Sequence, residues 1–250
     1  MKDGSTMMLK EGQYVDMNRK MGVMSKHPLF SVLPDDEYDF LQIDQTERQI
    51  KSAAFIYFEA DRHPNIYLLN AGLIRLGYLD SKGNKIIKEI LRPGDFFGQV
   101  SLEKESLHGE FAQAVNAEVR YNRFTVDRFN EMLNNHPRLA LNYSRISGYR
   151  IARFKNRMEN ILRNDMKTRL RTFLEQMISD LRDSAKWFGQ EVRIPAFLTH
   201  EEIAQLIGTS RQTVTSLLGT LKEQHICSYS RRELRFFKCE KPDATCYAGP

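Results

Sequence analysis

The chain has 250 residues, of which 41% are hydrophobic and 28% charged, a globular composition long enough for two domains. No apolar run approaches the roughly eighteen residues that cross a bilayer, and the Met-rich start lacks a continuous signal-peptide core, so a cytoplasmic protein without a membrane partner is expected. The formal charge of +5 is uneven, with 18 Lys and Arg against 12 Asp and Glu in residues 150–250 and 19 against 20 in the remainder. A basic excess confined to the C-terminal part is what attraction to phosphates requires.

Residues 1–26 hold five methionines after the first, at 7, 8, 17, 21 and 24, and read as an extension. No His or Cys stands among them to build a soft-metal or haem site. Between Pro34 and Leu41, a proline followed by acids predicts a short helix. From Arg48 to Phe124 short β-prone runs alternate with glycine turns: Ile66–Leu69, Ile74–Leu79, Ile86–Leu91, Ala112–Val119 and Tyr121–Phe124. Strands at this spacing predict an antiparallel, jelly-roll-like β-roll over residues 27–135, a shape suited to holding a ligand.

His136-Pro137 opens the longest helical pattern, residues 136–163. Ala140, Ser144, Ser147, Ile151, Phe154, Met158 and Ile161 alternate four- and three-residue steps, a seam that calls for a second helix. Ser147, Ile151, Phe154, Met158 and Ile161 are therefore the candidate dimerisation residues, while Leu139, Tyr143 and Ile146 form an adjacent stripe able to rest on the roll. A single amphipathic helix packed within its own chain is the alternative.

Residues 164–239 form the second domain, with a tail at 240–250. Asn164-Asp165 reads as a helix N-cap, and Leu170, Phe173, Leu174, Met177, Ile178 and Leu181 as the apolar face of that helix, which Trp187-Phe188-Gly189 is expected to close. Val192–Pro195 predicts a short strand. Thr199 with Glu202 three residues later is a capping box; Ile203, Leu206 and Ile207 share a face, and Gly208 supplies the left-handed residue of a sharp turn. Ser210 caps a second helix whose Val214, Leu217, Leu218 and Leu221 pack on the first and leave Arg211, Gln212, Thr215 and Ser216 outward. A guanidinium, an amide and two hydroxyls near a helix N-terminus are the chemistry of base-edge reading. The alternative is a two-helix corner with a solvated polar face. Short β-prone runs at Cys227–Tyr229 and Leu234–Phe237 flank Ser230-Arg231-Arg232-Glu233 and predict a hairpin with a basic tip, which makes the unit a winged helix-turn-helix. The three cysteines, Cys227, Cys239 and Cys246, lack paired spacing and indicate neither disulfides nor a zinc ribbon.

The order of roll, long helix and winged helix-turn-helix resembles the bacterial regulators of the cyclic-AMP receptor and fumarate-nitrate regulator (Crp/Fnr) family over residues 27–239. Leu198–Leu221 is similar to that family's helix-turn-helix, and Pro93-Gly94-Asp95-Phe96-Phe97-Gly98 is similar to the turn leading into its effector cassette. The resemblance implies an α+β transcription regulator that is not an enzyme and dimerises through the long helix. It further implies an inverted-repeat DNA operator, RNA polymerase as a partner, and a small-molecule effector in the roll. The DNA-contacting residues it points to are Thr199, Ser210, Arg211, Gln212, Thr213, Thr215 and Ser216, with Arg231 and Arg232 on the wing. The effector-pocket residues are Phe97, Gly98, Gln99, Val100, Phe111 and Ala112.

The cassette departs from the cyclic-nucleotide binders at two places. They carry Gly-Glu-Leu after the turn, then an Arg followed by Ser or Thr; this chain has Gly98-Gln99-Val100 and Phe111-Ala112. A phosphate beside Phe and Ala has no guanidinium to compensate its charge, so an effector other than cyclic AMP is expected. A cyclic-nucleotide-responsive module with an atypical cassette remains the second reading. A cupin-like metal-binding barrel is the third, for which the roll offers only the separated His63 and His108. No cofactor and no metal site are expected.

Overall fold

A computed structural model describes residues 27–33, 47–58, 65–100, 110–115, 118–181, 186–188 and 191–237. The extension at 1–26, the helix expected at Pro34–Leu41, His63, His108, Cys239, Cys246 and the tail lie outside the described residues.

The N-terminal part folds as two four-stranded antiparallel sheets that face one another without closing into a barrel. One sheet has the order β1-β8-β3-β6, from Arg48–Ile50, Val119–Thr125, Asn65–Ala71 and Phe96–Gly98. The other has the order β2-β7-β4-β5, from Phe55–Phe58, Glu110–Ala114, Ile74–Leu79 and Lys85–Leu91. The run expected at Ala112–Val119 is therefore split: Ala114 ends β7, and Val119 begins β8 in the opposite sheet.

Strand β3 is apolar on both faces because both are covered. Ile66 and Leu68 join Leu29, Phe30, Phe96, Phe124, Phe129, Leu139 and Tyr143 in a core beneath the helices. Tyr67 and Leu69, one residue out of phase, join Tyr57, Leu91, Phe97, Ala112 and Tyr121 between the sheets. Neighbouring Phe96 and Phe97 divide in the same way.

Helix α1 spans Val126–Asn135 and α2 spans Pro137–Arg163, whose 27 residues make a rod of about 40 Å. Pro137 sits in the first turn of α2, where its missing N–H costs no hydrogen bond. Leu139 and Tyr143 are buried on the roll core and Ile146 packs against it, as their stripe predicts. Asn142 donates to the carbonyls of Pro28 (2.7 Å) and Leu29 (2.9 Å), pinning the chain before the roll to the same helix.

The opposite side of α2 is exposed at Ile151, Phe154, Met158 and Leu162. The expected seam changes at its end: Ile161 is half-buried and lies beside the turn at Gly208, where an added Cβ would meet it at 3.8 Å. Leu162, 76% exposed, continues the ridge instead.

Helix α3, Met166–Asp180, is capped by Asp165, whose side chain accepts from Thr168 N. It buries Leu170, Leu174, Met177 and Ile178. Trp187-Phe188 does not close this helix, because Lys186–Phe188 is a strand, β9, paired with β10 at Glu191–Pro195. Backbone pairing with an adjacent extended segment outweighs the helix-end reading of two aromatic residues, which have high strand propensity. Helices α4 (His200–Ile207) and α5 (Arg211–Glu223) follow, then β11 (Cys227–Tyr229) and β12 (Glu233–Phe236), which complete a sheet of order β11-β12-β10-β9. Among the described residues no helix is long and apolar enough to cross a membrane.

Candidate nucleic-acid interface

The helix pair α4–α5 is fixed by local chemistry at each joint. Thr199 Oγ1 accepts from Glu202 N at 3.2 Å while Glu202 Oε2 accepts from Thr199 N at 2.7 Å, completing the predicted capping box. Gly208 ends α4 at φ 71°, a left-handed conformation that glycine adopts without the Cβ penalty. Ser210 then accepts from Thr213 N at 3.1 Å and caps α5. Ile203, Ala204, Leu206 and Ile207 pack with Val214, Leu218 and Leu221 in one buried cluster, so the two helices move as one body.

This packing leaves Arg211, Gln212, Thr215 and Ser216 exposed, and with Ser210 they line a shallow open groove. Thr213 is half-buried and bonded to Ser210 (2.9 Å), and the Thr199 hydroxyl serves its cap, so both act more in supporting the surface than in forming it. The wing has its basic tip: Ser230 N donates to Glu233 O (2.9 Å), and Arg231 and Arg232 are exposed between them. Tyr229 donates its hydroxyl to Leu198 O (2.7 Å), tying the wing to the chain entering α4. Cys227 lies in the core of this domain, where burial pushes its thiol up to about 11 and keeps it protonated.

One member of this surface was not among the sequence candidates. His200 Nδ1 lies 2.9 Å from Thr215 Oγ1, whose own proton goes to Arg211 O (2.9 Å). The hydroxyl can therefore only accept, and His200 Nδ1–H is the donor. Partial burial, and then the nearby Arg211 charge, hold the imidazole below its ordinary value. Its signal in the sequence was its place directly after the cap, which the capping box alone had accounted for.

In the roll, the six effector-pocket candidates separate. Phe97 and Ala112 meet in the core between the sheets. The Phe97 ring stacks on Tyr67 (5.1 Å between centroids), and Tyr67 lies against Tyr57 (5.3 Å). Gly98 has φ 85°, and a Cβ there would come within 2.5 Å of Asn65 O, so the position admits only glycine. Gln99 is buried and its backbone N–H donates to Asn65 O (2.9 Å), whereas Val100 is partly exposed and its carbonyl accepts from Tyr143 Oη (2.6 Å). Phe111 does not share this interior, because successive strand residues face opposite ways; it clusters with Ile87 and the C-terminal domain. The side chain beside Ala112 that turns inward is Glu110, which is buried, accepts from Tyr57 Oη (2.6 Å) and pairs with Lys88.

The groups facing α2 from the roll are also acidic. Arg150 donates to Phe96 O (2.6 Å) and Glu89 (2.7 Å), and Arg153 to Asp95 (2.9 Å) and Glu89 (3.3 Å). Among the described residues no group of three or more His, Cys, Asp or Glu could hold a metal ion.

A roll joined by a long helix to a capped helix pair with a basic wing has the architecture of a two-domain transcription regulator. A family model for the cyclic nucleotide-binding domain matches residues 47–136, and one for the Crp-like helix-turn-helix domain matches residues 168–241. The chain belongs to the Crp/Fnr family of transcription regulators, whose members are not enzymes. It is 29% identical over 180 residues to the global nitrogen regulator of Synechocystis sp., covering 72% of this chain and 79% of that protein. It is 26% identical over 168 residues to the CRP-like cAMP-activated global transcriptional regulator of Mycobacterium tuberculosis, covering 66% and 71%. A Crp/Fnr-family transcriptional regulator of Thermus thermophilus shares the fold, with TM-score 0.62 at 24% identity over 77% of this chain and 93% of that one.

Proposed function

We propose that the chain acts as a homodimer joined along α2, reads an inverted-repeat operator with α5, recruits or blocks RNA polymerase there, and answers to an effector other than cyclic AMP. The observation that carries the DNA reading is the exposed quartet Arg211, Gln212, Thr215 and Ser216 on a capped, rigidly packed helix beside a basic wing tip. A two-fold dimer presents two such helices to major grooves about one helical turn apart. Arg211 suits guanine O6 and N7, and Gln212 suits adenine N6 and N7. Selection from a random DNA pool is expected to return a palindrome. Arg211→Ala should cost about 1–3 kcal/mol per half-site and relax one base position. Recovery of no palindrome, or identical preferences for Arg211→Ala and Gln212→Ala, overturns the assignment.

The effector reading is supported by the interior itself. The space between the sheets holds the Tyr57, Tyr67 and Phe97 rings, and the cation beside it, Lys88, is already paired with the inward Glu110 carboxylate, so a phosphate there would have to compete for it. The arginines of α2 at 150 and 153 already neutralise carboxylates. Calorimetry with cyclic AMP should give no saturable heat; micromolar binding coupled to tighter operator binding would return the cyclic-nucleotide reading to first place.

A further inference from the structure

Strand β5 is the edge of its sheet, and an edge strand carries outward N–H and C=O groups in need of partners. Here α4 provides them. Ile87 N donates to Gln205 Oε1 (2.8 Å), and Gln205 Nε2 donates to Lys85 O (3.3 Å). Three residues earlier on the same helix face, Glu202 receives Arg75 Nε from β4, while Arg75 Nη2 donates to Phe197 O (2.7 Å). Glu202 thus has two duties: Oε2 closes the capping box of α4, and Oε1, with a longer contact from Oε2 (3.5 Å), holds a guanidinium of the roll. At the far end of α4, Arg157 donates from Nε to Leu206 O (2.9 Å) and from Nη1 to Lys88 O, bridging the helix C-terminus to β5. A cation on the last carbonyls of a helix is favourable for its dipole.

These polar contacts surround an apolar one. Ile87, only 4% exposed, belongs to the core of the C-terminal domain, and Leu79 and Ile90 pack against that core. Swinging α4 away would strip the Ile87 amide of its partner and expose this surface. Meanwhile the groove formed by Arg211, Gln212, Thr215 and Ser216 stays open, so the docked arrangement does not cover the reading face.

We propose that Arg75, a residue of the roll, is a positioning residue for DNA recognition: with Gln205 and Arg157 it clamps α4 to strands β4 and β5 and so fixes the direction in which α5 presents its reading face. The inference rests on the assignment of α5 as the DNA-reading helix. A helix pair held at a fixed angle loses no orientational freedom when both halves of a dimer engage an operator, whereas a swivelling one does. The clamp is also a route from the roll to the DNA-binding domain, since β5 carries Glu89 and Lys88, which meet Arg150, Arg153 and Arg157.

The test compares full-length wild type, Arg75→Ala, Arg75→Lys and Arg75→Ala/Gln205→Ala on the operator recovered by selection, well below the melting temperature. Arg75→Ala should weaken binding about tenfold, within the usual range of inter-site coupling, with Arg75→Lys intermediate and the double variant weaker still. The salt slope should be unchanged, because a lost phosphate contact would lower it by about 0.9 and a lost positioning contact would not. Base preference should also be unchanged, and hydrogen exchange at residues 85–91 and 200–207 should quicken in the variants. Unchanged affinity or unchanged exchange overturns the clamp, and tighter binding by Arg75→Ala would show a restraint on DNA reading instead. A lowered slope would make Arg75 a phosphate ligand. If wild type itself selects no DNA, the reading of α5 fails and the positioning role falls with it; binding by wild type with no effect of Arg75→Ala removes the positioning role alone.

Discussion

Whereas the first turns of α2 bury Leu139 and Tyr143 on the roll, its two faces from Arg150 onward reverse the usual order of an amphipathic helix. Towards its own chain the helix turns Arg150, Arg153 and Arg157, each bonded to carboxylates or carbonyls of the roll or of α4. Away from it the helix turns Ile151, Phe154, Met158 and Leu162, all at least half exposed. In a helix that served only its own chain, the apolar residues would face inward and the arginines outward. Over this half of the helix the intrachain joint is electrostatic and directional, while the apolar ridge is left for a surface of like chemistry.

Charging the outer face of α2 should have the largest effect. Phe154→Lys with Met158→Lys should raise the dimer dissociation constant at least about a hundredfold, since each buried side chain contributes about 1.5–3 kcal/mol, and operator affinity should fall with it. Sedimentation equilibrium decides this, and a wild type that is monomeric at micromolar concentration contradicts the assignment of the ridge. The thermal stability of the protomer should change little.

The next largest effect is on the inner side and depends on pH. His27 is buried at the foot of α2; its Nδ1 accepts from Leu29 N, and burial lowers its pKa from 6.5 to about 4, partly countered by Asp95. Between those values the unfolded chain binds a proton that the native one refuses. Native stability should therefore be intact above about pH 6.5 and fall by about 3 kcal/mol as the pH drops to about 4. Denaturant titrations of wild type and His27→Gln across this window should show a flatter pH dependence in the variant, whatever its baseline.

A smaller loss sharpens the contrast between the faces. Arg153→Ala removes the guanidinium from Asp95, which keeps its bond from Arg92 N (3.0 Å), so a protomer destabilisation of about 2 kcal/mol is expected with dimer affinity unaltered. Loss of dimerisation instead would mean that the two faces are not independent. The smallest effect lies outside the helix: Arg231→Ala should weaken binding to all DNA sequences alike and lower the salt slope by about 1. A changed base preference would move Arg231 from the phosphates to the bases.

Features encoded within a few neighbouring residues are legible in the amino-acid order alone. The Thr199–Glu202 cap, the Gly208 turn, the Ser210 cap and the outward quartet on α5 follow from spacing, because capping and helical periodicity act over one or two turns. The stripe of Leu139, Tyr143 and Ile146 was legible for the same reason. Everything else depends on contacts between segments far apart in the chain. Phe111 and Ala112 are adjacent, yet they separate because the register of β7 between β2 and β4 sends one inward and the other towards the C-terminal domain. Trp187 and Phe188 became a strand because β10 was there to pair with it, and Ile161 left the expected seam because the Gly208 turn lies over it. Arg75 and Glu202 stand 127 residues apart. No local spacing relates them, since a contact of that range exists only after two separately folded domains have docked and the desolvated charges of each have found a partner in the other.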